Sequence, residues 1–351
     1  RFVEKMTAAG LSTDEINALP EAKLKNVGLT ATDLVAPFFI FIVGLVIPLS
    51  RSRRGREWWN HVASRTLKLI IAGVLYISLI LGLSWWWGIL QAIGVAYFMG
   101  AASMKLPRRM RWVAVFGVLM LHGVMTEFAD WWLQFGHTAE PFWRISDPTG
   151  NMAKPLIIHC LPWVSISYGA MTMIGVLLGE AIVTGERKII TQRSVLIGFV
   201  FMGLGYAIHK TGLIIGHTNL CFNKPDVSAS YAMFTSGLGA MVFLGLYYIM
   251  DVWGKKKWAH PFVEFGRNAL LAYFMQVIMR LFFRGLHLEY FFAGKPNEAL
   301  LKWADVLNSP FWSAFLLDKS GYNGMLWGLI WTLCLWGIIM YFNRKNIYWK
   351  L

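Results

Sequence analysis

Charged side chains inside apolar stretches are where chemistry is sought first. One at the centre of a bilayer-spanning helix costs roughly 2.5–3.5 kcal/mol on insertion scales, so each needs a reason. Here they are Asp33, Glu127, Asp130, Glu180, Lys210, Glu264, Arg267, Arg280 and Arg284, accompanied by the polar Gln91, Asn268 and Gln276. Most fall within a turn or two of the end of an apolar stretch, where snorkelling or an interfacial ion pair accounts for them. Asp33 and the Arg267-Asn268 pair resist that explanation. Asp33 opens an apolar stretch in Thr30-Ala31-Thr32-Asp33, which reads as an N-cap, but it also sits on the side at which a substrate would arrive. The eight histidines offer general bases, and His137, His159, His217 and His287 fall on that same side. Any one of them is structural more often than catalytic. None has the spacing of HExxH, and Cys160, Cys221 and Cys334 show no CxxC, so no metal site is expected. Cys160 and Cys221 both fall near the outer face, where an oxidising compartment would allow a disulfide.

The elements that must position these residues are membrane helices. The chain has 351 residues, 56% of them hydrophobic and 15% charged. An average soluble domain has roughly 45–50% apolar and about 25% charged residues. With a mean hydropathy of +0.50, this excludes a soluble enzyme. Nine stretches approach the roughly 20 apolar residues that span a bilayer: 31–50, 66–83, 87–104, 112–133, 157–183, 194–215, 229–252, 264–286 and 322–342. The third is short and follows Ser84-Trp85-Trp86-Trp87, an interfacial anchor by type. The expected fold is all-α, a polytopic transmembrane bundle: an extracytoplasmic segment over 1–30, then one helical domain over 31–351. Gly175 with Gly179, and Gly212 with Gly216, have the GxxxG spacing that lets helix backbones approach, and Gly237 with Gly239 lies in the seventh stretch.

Orientation follows from the cations. The net charge of +14 would suggest nucleic acid in a soluble protein, but 20 of the 33 Lys and Arg fall in alternate connections. These are Arg51 to Lys68, Lys105 to Arg111, Arg187 to Arg193, Lys255 to Arg267 and Arg344 to Lys350. The positive-inside rule therefore predicts a cytoplasmic C-terminus, residues 1–30 outside, and one further helix before Arg1. No Asn-x-Ser/Thr sequon occurs, which favours a bacterial inner membrane. The partners expected are membrane lipids and other membrane subunits, with no nucleic acid. The longer outer connections are where extracytoplasmic chemistry is expected.

Four stretches together resemble the heparan-α-glucosaminide N-acetyltransferase family of membrane acyltransferases and its bacterial relatives. They are GLTATDLVAPFFIFIVGLVIPLS from Gly28, WGILQAIGVAYF from Trp87, the Phe222–Tyr273 region with its Asn-Lys, Asp-Val and Gly-x-Asn, and the closing NRKNIYWKL from Asn343. The resemblance implies transfer of an acetyl group from cytoplasmic acetyl-CoA to an amino sugar or glycan across the membrane. It also implies a catalytic histidine just before the first motif. Here Glu21 to Gly28 contains none, and the family's position falls on Lys23 or Asn26. On this reading Asp33 is the catalytic polar group, Asn223, Lys224, Arg267 and Asn268 orient the substrate, and Arg267 or Asn268 is the neighbour expected for Asp33. Arg344, Lys345 and Lys350, with Lys255 to Lys257, supply cations for the CoA phosphates. The alternative is a non-catalytic accessory subunit of a larger membrane assembly built on the same fold, motivated by the missing histidine and by 18 tryptophans able to pack on lipid or other chains.

Overall fold

The structure, a computed structural model, describes residues 29, 31–81, 87–128, 163–224, 227–285 and 322–349. Among these every regular element is helical. The segment expected to be extracytoplasmic, 1–30, lies outside them apart from residue 29, as do Lys23, Asn26, Cys160, His137, His159, His287 and Lys350. The chain divides into two compact units, Arg1–Trp253 and Gly254–Leu351.

In the first unit a 3-10 turn, Ala31–Leu34, leads into α1 (Val35–Arg54). It is followed by α2 (Trp58–Leu81), α3 (Ile89–Ser103), α4 (Arg108–Phe128), α5 (Val164–Thr184), α6 (Arg187–Ile215) and α7 (Ala229–Tyr247). Helix α7 runs on through a π-helical turn, Tyr248–Val252. Four of these segments, α1, α5, α6 and α7 with its extension, are long and apolar enough to cross a membrane, as is Trp58–Leu79 within α2. Helix α3 is apolar but shorter, as its sequence suggests.

Helix α5 is apolar on every side, and such a helix belongs in the middle of a bundle. It packs against α1, α3, α4, α6 and α7. Lipid provides no hydrophobic force between helices, so close backbone approach has to hold them together. Gly175 and Gly179 do this: a Cβ on either would collide with a carbonyl oxygen of α1, that of Phe41 for the first and of Leu45 for the second. Gly44 answers from α1, where a Cβ would collide with the Thr172 carbonyl oxygen. Gly237 on α7 abuts Met202 and Gly198 of α6 in the same way. The Gly212–Gly216 pair behaves differently. Gly216 takes φ 71° and ends α6. The His217 amide bonds back to the Gly212 carbonyl at 2.8 Å, so this spacing marks a helix terminus rather than a helix contact.

The second unit contains α8 (His260–Arg267), α9 (Ala269–Gly285) and α10 (Tyr322–Arg344), with α10 packed on both others. The continuous stretch expected over 264–286 is broken at Asn268, whose backbone leaves the helical region at φ −132°, ψ 40°. The break has a side-chain cause. The wholly buried Asn268 amide donates to Asn343 Oδ1 and to the Ile347 carbonyl at 2.8 Å, and its oxygen accepts from the Trp349 amide at 3.0 Å. These bonds tie the segment after α10 to the α8–α9 junction.

Candidate functional site

The polar groups of the first unit collect at its two ends. At the end formed by the start of α1, the start of α5, the close of α6 and the start of α7, the Asp33 carboxylate pairs with Lys224 Nζ at 2.8 Å. The Asp33 side chain is 15% exposed and that of Lys224 42%, so a largely buried carboxylate is held by a cation that still reaches solvent. The Tyr231 hydroxyl, from α7, donates to the Asp33 backbone carbonyl and fixes the turn that presents the carboxylate.

The segment carrying Lys224 is held by a serine and a histidine. Ser228 caps α7. Its hydroxyl donates to the Cys221 carbonyl at 2.7 Å and accepts from the amides of Asn223 and Tyr231. The Phe222 amide donates to His209 Nδ1 at 3.0 Å, and the two rings stack with centroids 4.0 Å apart. Because Nδ1 accepts, the neutral imidazole carries its proton on Nε2. Val227, fully buried and β-branched, sits at φ 48°, a conformation with a real energetic penalty. Its carbonyl accepts from Ser167 of α5 at 2.7 Å. Backbone strain of this kind gathers at functional sites. The Cys221 thiol lies within this packing, and burial pushes its pKa up. Its expected partner Cys160 is outside the described residues.

At the opposite end the basic residues meet. Arg51, at the close of α1, and Arg111, in the first turn of α4, both donate to the Met104 carbonyl, at 2.9 and 3.2 Å. Arg111 also donates to the Leu106 carbonyl and forms a close ion pair with Glu180 of α5, while Arg108 lies 3.9 Å from the same carboxylate. The interfacial ion pair expected for a carboxylate such as Glu180 is what forms. Arg51, Arg111, Glu180 and Met104, with Ser52 and Val183, line a cavity of about 650 Å³. The Arg51 guanidinium stands 5.5 Å from the centre of the Trp58 ring, over its face.

Of the residues nominated from sequence, the structure brings Asp33 and Lys224 into contact, with Asn223 adjoining Lys224 in the segment that Ser228 holds. Lys224 is a cation beside Asp33; Arg267 and Asn268 belong to the second unit. In that unit Arg267 pairs with Glu264 at 3.3 Å, and Asn343 donates to the Glu264 carboxylate at 2.7 Å. Arg344 and Lys345 stand exposed at the close of α10. Sequence reasoning passed over Tyr231, Ser228 and the position of His209. The Ser-Ala-Ser-Tyr run before an apolar stretch was the available signal, since a serine there is a helix cap.

A protein-family model described as "Heparan-alpha-glucosaminide N-acetyltransferase, catalytic" matches residues 14–211. The match takes in Asp33, Glu180, His209 and both arginines of the cavity. Lys224, Tyr231 and the whole second unit lie beyond it. None of the curated proteins matches the chain.

Proposed function

The chain belongs to the heparan-α-glucosaminide N-acetyltransferase catalytic family, and on that premise we propose that it moves an acetyl group from an acyl-CoA to the amine of an amino sugar or glycan on the far side of the membrane. The observation that carries this reading to particular residues is the Asp33–Lys224 pair, a largely buried carboxylate held at one end of a lipid-compatible bundle, the opposite end from the arginines.

In the reaction the acceptor nitrogen attacks the thioester carbonyl, the C–N bond forms, the C–S bond breaks, and CoA leaves as the thiol once the proton from the nitrogen has been passed on. Asp33 accepts that proton, and Lys224 orients the carboxylate and offers its ammonium to an acceptor hydroxyl or to the developing oxyanion. Tyr231 keeps the carboxylate in place from behind. The positive-inside rule puts the arginine end in the cytoplasm, where acyl-CoA is found, and the Asp33 end outside. The absence of an Asn-x-Ser/Thr sequon supports a bacterial inner membrane as the membrane it spans.

The test is transfer by the purified full-length protein in detergent, from radiolabelled acetyl-CoA to glucosamine. Asp33→Asn is expected to reduce transfer by about 10²-fold or more, the usual contribution of a positioned base. Detectable acetyl-CoA binding with no transfer to any amine would contradict the reading. Absence of both at millimolar acetyl-CoA would favour a non-catalytic accessory subunit on the same fold.

A further inference from the structure

We propose that the cavity at the basic end of the first unit is a binding site for a phosphate ester, clamped by Arg51 and Arg111, and that the Glu180 carboxylate stands in for the anion until it binds. Identifying that ester with the nucleotide end of an acyl-CoA rests on the function proposed above; the anion site itself does not.

Charge balance carries the argument. Arg51, Arg108 and Arg111 converge on the cavity or on its carboxylate, and Glu180 is the one acid among the described residues that line it. One carboxylate leaves about two positive charges unmatched, the complement of a phosphate monoester or a diphosphate. The geometry points the same way. Two guanidiniums share the Met104 carbonyl oxygen, an arrangement that sets like charges side by side. An anion between them relieves it, and planar guanidinium forks suit phosphate oxygens. Arg111 is only 9% exposed, so its guanidinium is held in place by the packing around it, while the exposed Arg51 reaches the anion from the open side of the cavity. The volume of about 650 Å³ lies within the usual range of small-molecule sites. The cations sit on the close of α1 and the start of α4, and both helices pack on α5, the helix that carries Glu180.

The partner exchange sets this site apart from a simple basic surface. Removing the Glu180 charge should tighten phosphate binding, whereas removing an arginine should loosen it. The measurement is titration calorimetry of the purified full-length protein with adenosine 3′,5′-bisphosphate, paired with native mass spectrometry of phosphatidic acid retained from mixed micelles. Glu180→Gln is expected to raise bisphosphate affinity severalfold, and Arg51→Ala or Arg111→Gln to lower it at least tenfold. Because the arginines also hold the Met104 carbonyl, Ser52→Trp provides a variant that fills the cavity with every arginine in place, and it too should abolish binding. Lys188→Ala, an exposed basic residue outside the cavity, should change nothing. Bisphosphate binding with this pattern supports the site and assigns it to a nucleotide. Retention of phosphatidic acid with this pattern, and no bisphosphate binding, supports the site and assigns it to a lipid headgroup. Neither probe responding to Ser52→Trp and Glu180→Gln overturns the proposal. Acetyl transfer that persists in that case leaves the enzymatic reading standing, and lost transfer with intact bisphosphate binding sinks the enzymatic reading alone.

Discussion

Asp33 and Lys224 illustrate how far an ion pair can be separated from stability. Asp33 is largely buried, but Lys224 is 42% exposed and water can take the place of its ammonium at the carboxylate, so the pair contributes about 0–1 kcal/mol to folding. Lys224→Met should therefore leave the thermal midpoint nearly unchanged while acetyl transfer falls by about tenfold or more, as expected for a charge positioned at a reacting centre. A parallel loss of midpoint and activity would reassign the pair to structure. Cys221 makes a second case. Burial raises its thiol pKa, the thiolate is the reactive species, and so the fraction able to react near neutral pH is reduced. In a background with Cys160 and Cys334 changed to Ser, maleimide should label native Cys221 about tenfold or more slower than the denatured protein. Equal rates would show that the packing around His209 and Phe222 is open. Both residues of the ion pair were legible from sequence, one by its place at the head of a Phe-rich stretch and the other by a family motif. Their contact was not, because it depends on how α7 docks beside α1.

At the scale of elements, the α1–α5 seam is the most demanding contact. Gly175→Val should destabilise the protein by about 1–3 kcal/mol or more, since the added atoms meet α1 backbone that cannot move aside as a side chain can. Gly245→Ala on α7, where a Cβ meets nothing within 4 Å, provides the neutral comparison. Thermal unfolding in detergent, followed by tryptophan fluorescence, separates the two, and equal midpoints would remove the seam from the account. Hydropathy marked out the helices because the bilayer imposes one length and one composition on all of them. GxxxG spacing at Gly175–Gly179 marked a close backbone approach on α5 without naming its partner, and the same spacing at Gly212–Gly216 ends a helix. Spacing alone does not reveal which face of a glycine is covered. The break at Asn268 was hidden for a related reason: apolar residues continue on both sides, and only the distant Asn343 and Trp349 turn that asparagine into a helix end. Asn268→Leu, which leaves the Trp349 amide and the Ile347 carbonyl without their partner, should cost about 1–3 kcal/mol. An unchanged midpoint would show that the junction is tolerant.

On the scale of the whole molecule, helices of the first unit separate an arginine-lined cavity from a carboxylate–lysine pair, and the proposed transfer would run between them. Orientation is its first consequence. A cysteine placed at position 53 should resist an impermeant reagent added to intact cells, as the positive-inside pattern requires, and efficient labelling there would reverse both ends. Proteoliposomes of the full-length protein, with glucosamine sealed inside and radiolabelled acetyl-CoA outside, measure transfer between the two ends directly. Molecules inserted with Arg51 and Arg111 facing out should accumulate N-acetylated sugar in the lumen, and Asp33→Asn should reduce that accumulation about 10²-fold. Label that never reaches the luminal sugar, from protein shown to be folded and inserted in that orientation, would rule out transfer between the two ends.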